Sequence, residues 1–153
     1  MQVSQVMSSD VKVTSPDQSI RDAACLMAKL DCGSLPVGEN DRLVGMITDR
    51  DIAIRAVAAG KSADTKVRDV MSAEVKYCFD DDDLDEVASN MADLKVRRLP
   101  VVNHDKRLVG IVSLGDIACT DDDAKTVSSA LSGISKPGGE HSQSTDGGAA
   151  RAR

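Results

Sequence analysis

The chain has 153 residues, with 19 Lys+Arg against 25 Asp+Glu and a formal charge of −6, a balance that argues against a nucleic-acid clamp. Trp is absent and Tyr77 and Phe79 are the only aromatic rings outside histidine, which excludes a base-stacking platform and an aromatic cage for a cationic ligand. A flat ligand therefore has to be gripped by aliphatic side chains.

The first sixteen residues are polar and lack the basic region and apolar stretch of a secretory leader, and no window approaches eighteen apolar residues; the expected location is cytoplasmic. Residues 11–14 alternate and read as a strand. Ser19 and Asp22 then form a capping-box pattern, with apolar residues at helical spacing behind it, which predicts a helix over 19–30. Two short β-rich runs follow at 34–37 and 43–48, joined by a polar turn at 38–42. A second helix is expected from Asp49 towards Ala59, with Gly60 as its stop.

The pattern then starts again. Val-Ser-Gln-Val-Met-Ser at Val3 recurs as Val-Arg-Asp-Val-Met-Ser at Val67, an offset of 64. The same offset relates Ala24 to Ala88, Met27 to Met91 and Leu35-Pro36-Val37 to Leu99-Pro100-Val101. After one inserted residue, Arg42-Leu43-Val44-Gly45 matches Arg107-Leu108-Val109-Gly110, and Thr48-x-x-Asp51 matches Ser113-x-x-Asp116. Strands at 75–79, 98–102 and 108–113 and a helix over 83–94 follow from this register.

Each unit of about sixty residues is β-α-β-β-α and marginal alone, so the two are expected to pack sheet against sheet about a pseudo-twofold axis, leaving two equivalent clefts. The fold class is α/β (α+β), divided into unit one at 1–62, unit two at 63–132 and a disordered tail at 133–153.

Cys25, Cys32, Cys78 and Cys119 show no C-x-x-C or Cys/His spacing and are read as reduced thiols. The acidic runs at Asp80–Asp83 and Asp121–Asp123 lack the Gly and Glu positions of a calcium loop and read as solvated helix-start acids. His104 falls in a hairpin turn and is expected to face solvent, so no metal ligand set is assigned. No nucleophile-base set and no phosphate-cradling Gly loop is present, so the protein is read as no enzyme.

From about residue 3 to 130 these residues resemble a tandem pair of CBS domains, the Bateman module, carried by D-V-M-S at Asp69, the two L-P-V and R-L-V-G runs, and the paired [TS]-x-x-D. Thr48-Asp49-Arg50-Asp51-Ile52, Ala58-Ala59-Gly60 and Val96-Arg97-Arg98-Leu99 are similar to small stand-alone two-CBS proteins of the hypoxic response type. The resemblance implies a non-enzymatic sensor of adenine nucleotides (AMP, ADP or ATP) that signals through a change in the geometry of the pair, with no obligatory cofactor.

The chemistry of the residues agrees. An ionised Asp accepts both hydroxyls of a ribose diol and a neighbouring hydroxyl completes the network, so Thr48, Asp51, Ser113 and Asp116 are the ribose candidates. The resemblance places adenine beside Val13, Thr14, Leu35, Pro36 and Val37 in one cleft and Tyr77, Cys78, Leu99, Pro100 and Val101 in the other. Arg50, Arg55, Arg97 and Arg98 are the phosphate candidates, and because Gly115 stands where the first unit has Arg50, the clefts are unequal.

An isologous homodimer through the helices at 19–30 and 83–94 is expected, with Ala24, Met27, Ala28, Ala88, Met91 and Ala92 at its contact, and an unidentified protein partner is expected to read the state. Nucleic acid and membrane are not expected partners. The alternative is a structural dimerisation module that binds no nucleotide.

Overall fold

The computed structural model describes residues 1–120 and 124–136. Two compact units are present: Lys12–Lys76 with Lys106–Leu108 forms the first, and Met1–Val11, Tyr77–Asp105 and the chain from Val109 form the second. These units do not follow the repeat boundaries at 62 and 132, because the turn that opens each repeat packs on the helix of the other copy. In the second unit Val3 N donates to Asp82 O at 3.0 Å and Leu84 N to Met1 O at 2.9 Å. In the first unit Ile20 N donates to Thr65 O at 2.9 Å and Val67 N to Gln18 O at 2.8 Å. Val3 and Val67, fully buried, anchor these 3-10 turns, Val3–Gln5 and Val67–Asp69.

In the first unit the helix α1 (Ile20–Leu30) starts where Asp22 N donates to Ser19 Oγ at 3.1 Å, and it buries Ile20, Ala23 and Met27 along one stripe. It ends at Asp31 in the left-handed region, φ 53. The hairpin β1 (Ser34–Glu39) and β2 (Arg42–Thr48) is antiparallel, with Ser34 opposite Thr48. Its turn uses Asn40 and Asp41 at φ 54 and 63, the residue types that tolerate this region best after glycine. The strand expected at 11–14 is reduced to one parallel bridge, Thr14 to Val37.

The second helix departs from the single α-helix expected over 49–59. One α turn, α2 (Asp49–Asp51), gives way to a π segment at Ile52–Val57, in which Ala58 N reaches Ala53 O at 2.9 Å. The wider winding holds one extra residue per turn. Gly60, at φ 77, lies just beyond its end.

The second unit carries β3 (Cys78–Phe79), α3 (Leu84–Leu94), β4 (Arg98–Val102), β5 (Leu108–Ser113) and α4 (Leu114–Ala118). Its sheet order is β3-β4-β5, and β3 runs parallel to β4 with Cys78 opposite Val101. Asp83 caps α3 through Asp85 N and Glu86 N.

A helix without counterpart in the first repeat, α5 (Ala124–Ser135), packs on α3. Residues 133–135, where the expected tail begins, close this helix, and Gly133 lets it approach α3 until an added Cβ would lie 2.6 Å from Ala92 Cβ. The rest of that expected tail, from 137, and the acidic run at 121–123 lie outside the described residues. Each unit has its own core, one around Leu35, Val37, Ile47 and Val67, the other around Val87, Met91, Val101 and Val112.

Candidate functional site

Thr48 ends β2 and Asp51 lies on the first helical turn beyond it. Asp51 N donates to Thr48 Oγ1 at 3.0 Å and Thr48 N donates to Asp51 Oδ2 at 3.0 Å. The second repeat rebuilds this arrangement: Asp116 N donates to Ser113 Oγ at 3.1 Å and Ser113 N to Asp116 Oδ2 at 2.7 Å. Each pair is thus a reciprocal capping box that sets the hydroxyl at the strand end and the carboxylate beside it. One carboxylate oxygen is consumed by the backbone amide. The other is not used by the capping box.

That other oxygen differs between the units. Asp51 Oδ1 lies 3.8 Å from Arg55 Nε. Arg55 also donates through Nη1 to the carbonyls of Val70 and Met71 at 3.3 and 3.4 Å, which ties the helix to the returning chain. Its counterpart in the second repeat is Thr120, whose hydroxyl donates to Ile117 O at 2.7 Å. Asp116 Oδ1 has no hydrogen bond or ion pair among the described residues.

The adenine candidates fall beside β1 and β4. Thr14 N donates to Pro36 O at 3.1 Å and Gly38 N to Thr14 O at 2.9 Å, and Thr14 Oγ1 donates to Gln18 Oε1 at 2.7 Å. Leu35, Pro36, Val37, Leu99, Pro100 and Val101 are buried, which leaves Val13, 44% exposed, and Tyr77, 41% exposed, as the apolar side chains open to a ligand. Burial, with the Asp82 charge as the lesser cause, pushes the Cys78 thiol up to about 12, so it stays protonated and unreactive at neutral pH.

The remaining arginines sit near the helix starts. Arg50 is half-buried beside Asp51, and Arg97 and Arg98 are exposed. Arg97 O accepts from Leu114 N at 2.9 Å, as Gly33 O accepts from Asp49 N at 2.9 Å. Thus the first-cleft candidates all belong to the first unit and the second-cleft candidates to the second.

Sequence reasoning missed one cluster. His104 is exposed as expected, yet its Nε2 lies 2.8 Å from Asp81 Oδ2 and its ring stacks on Phe79 at 4.8 Å with an interplanar angle of 12°. The hydrogen bond and charge of Asp81 hold the imidazole above its ordinary pKa, and His104 holds the Asp81 carboxyl below its own. The separation of 23 residues carries no local signal. Only the adjacency of β3 and β4 brings the pair together.

The family model of the CBS domain matches twice, over residues 3–57 and 67–119. The chain belongs to the CBS-domain family. It is a CBS-pair regulatory module of the α+β class. It is 41% identical over 133 residues to the CBS domain-containing protein YhcV of Bacillus subtilis, covering 87% of this chain and 94% of that one. Hypoxic response protein 1 of Mycobacterium tuberculosis is 37% identical over 115 residues, covering 74% of this chain and 80% of that protein. Among solved structures, the CBS domain pair of protein MJ0100 in complex with 5-methylthioadenosine and S-adenosyl-L-methionine superposes with a TM-score of 0.68 at 32% identity, covering 77% of this chain and 93% of that one. No helix of the described residues is long and apolar enough to cross a membrane.

Proposed function

We propose that this CBS pair is a non-enzymatic, cytoplasmic sensor of adenosine compounds. The observation that carries the reading is the doubled strand-end hydroxyl and helix-start carboxylate, Thr48 with Asp51 and Ser113 with Asp116, each presenting one carboxylate oxygen not used by the capping box. The ligands of the MJ0100 pair, both adenosine derivatives, support that class. Each Asp accepts the ribose hydroxyls, the chain beside β1 or β4 faces the adenine, and Arg50, Arg97 and Arg98 meet phosphates where the compound carries them. Occupancy shifts the population of pair geometries offered to a protein partner.

The sensor works as a homodimer through the face of α1 that carries Ala24 and Ala28, both exposed. The matching face of α3 is withdrawn from this role, because Ala88 and Met91 are buried and Gly133 of α5 lies on Ala92. Covering that face in cis restricts the expected two-helix contact to its α1 half.

A second reading, a structural dimerisation module, is favoured by one feature: the capping boxes alone account for the hydroxyl and the carboxylate. Thermal unfolding with AMP, ADP, ATP, NAD and S-adenosylmethionine separates the two. A ligand at about 100 times its Kd adds roughly 2.7 kcal/mol, a rise of about 5–10 °C in Tm. No rise with any of the five leaves the structural module.

A further inference from the structure

The Asp81–His104 pair is part of a larger donor set that the adenosine reading does not use. Asp80, Asp81 and His104 each bring one ligand atom to within 4.8 Å of the others. Of the four consecutive carboxylates, Asp82 accepts from Phe79 N at 2.8 Å and Asp83 caps α3, so Asp80 and Asp81 are the two turned to the histidine. The roots of both loops are held. Asp80 N donates to Val102 O at 3.1 Å, Asp80 O accepts from Ser4 N at 2.9 Å, and Phe79 stacks on the imidazole.

The spacing is also compatible with a shared cation. With metal–ligand bonds of about 2.1 Å, two donors lie about 3 Å apart when adjacent and about 4.2 Å when opposed. The 2.8 Å between His104 Nε2 and Asp81 Oδ2 fits adjacent ligands, and all three donors lie within 4.8 Å of one another. An imidazole with two carboxylates selects first-row transition ions over magnesium or calcium. We propose that Asp80, Asp81 and His104 bind one divalent first-row transition cation, with Zn2+ as the representative, leaving its remaining positions to water. Among the described residues the site occurs once: the positions matching Asp80 and Asp81 in the first repeat are Pro16 and Asp17, and Asp17 is paired with Arg68 and Lys66.

Binding releases any proton on Nε2, so affinity falls as the pH is lowered. The test is calorimetric titration of the full chain with ZnCl2, on the wild type and on His104→Ala, His104→Gln and Asp81→Asn. All three variants keep the four cysteines and alter exposed side chains. One wild-type binding event must weaken by at least about tenfold in each variant and on lowering the pH from about 7.5 to about 5.5, while Asp51→Ala retains it. Absence of zinc binding by the wild type, or binding that survives unchanged in the His104 and Asp81 variants, overturns the proposal. Neither result bears on adenosine binding at the other residues.

Discussion

Helices α1 and α3 are written in one pattern at an offset of 64 residues, and the structure treats their outer faces differently. Ala24 and Ala88 occupy the same repeat position, yet Ala24 is exposed and Ala88 is 1% exposed. The helix α5, absent from the first repeat, makes the difference by packing on α3. The same divergence reaches the capping boxes, where Arg55 stands beside Asp51 and Thr120 takes the corresponding place in the second repeat. Duplication therefore preserves what each unit needs to fold, the apolar stripe and the helix cap. It leaves free what lies outside the unit.

The largest effect that sharpens this contrast comes from placing a charge on each face. Ala88→Asp buries an unpaired carboxylate and should cost about 3–5 kcal/mol, whereas Ala24→Asp should change the stability of the folded chain by no more than about 0.5 kcal/mol. Urea unfolding of both variants reads the difference; equal costs would break the comparison. Ala24→Asp should also reduce the mass in sedimentation from two chains to one.

The close approach of α5 predicts the next effect. Gly133→Ala drives a methyl into the Ala92 backbone and should destabilise by about 1–3 kcal/mol, visible as a lower Tm. An unchanged Tm would mean that α5 does not pack on α3 in solution.

Where the repeats are alike, matched variants should match. Asp51→Ala and Asp116→Ala each remove one capping-box acceptor and should each cost about 0.5–2 kcal/mol of stability. A large inequality would show that Arg55 makes the first box more than a cap.

The smallest effect is the dependence on pH that the His104–Asp81 pair adds in the second unit. The folded-state pKa of His104 lies above its ordinary 6.5, so its share of stability is fully present below 6.5 and is lost as the pH rises through the raised value. The folded-state pKa of Asp81 lies below its ordinary 3.8, so its share is present above 3.8 and is lost as the pH falls through the lowered value. The pair is strongest between these limits. His104→Ala should flatten that part of the stability profile, and a histidine NMR titration should find His104 above the ordinary value.

Much of the fold was legible because its signals are local. Ser19 and Asp83 mark the helix starts, the apolar spacing behind them gives the buried stripes, and the offset of 64, then 65 after the inserted residue, carries the assignments into the second repeat. The capping role of Thr48 and Ser113 was legible for the same reason. What escaped depends on tertiary neighbours. The π winding after Asp51 has no distinct spacing signature, and α5 gains its stability from the surface of α3 rather than from its own Ser- and Gly-containing sequence. The pairing of His104 with Asp81 needs β3 to lie beside β4, and the engagement of Arg55 with the carbonyls of Val70 and Met71 needs the chain to return.

The central claim, that Asp51 and Asp116 each accept the ribose of an adenosine compound, is tested most directly by calorimetric titration of the wild type, Asp51→Ala and Asp116→Ala with adenosine, AMP, ATP and S-adenosylmethionine. Loss of a charged acceptor costs about 1.5–3 kcal/mol, so each variant should lose ten- to a hundredfold in affinity at one site and retain the other. Absence of binding for all four compounds, or titrations that neither substitution alters, would contradict the account.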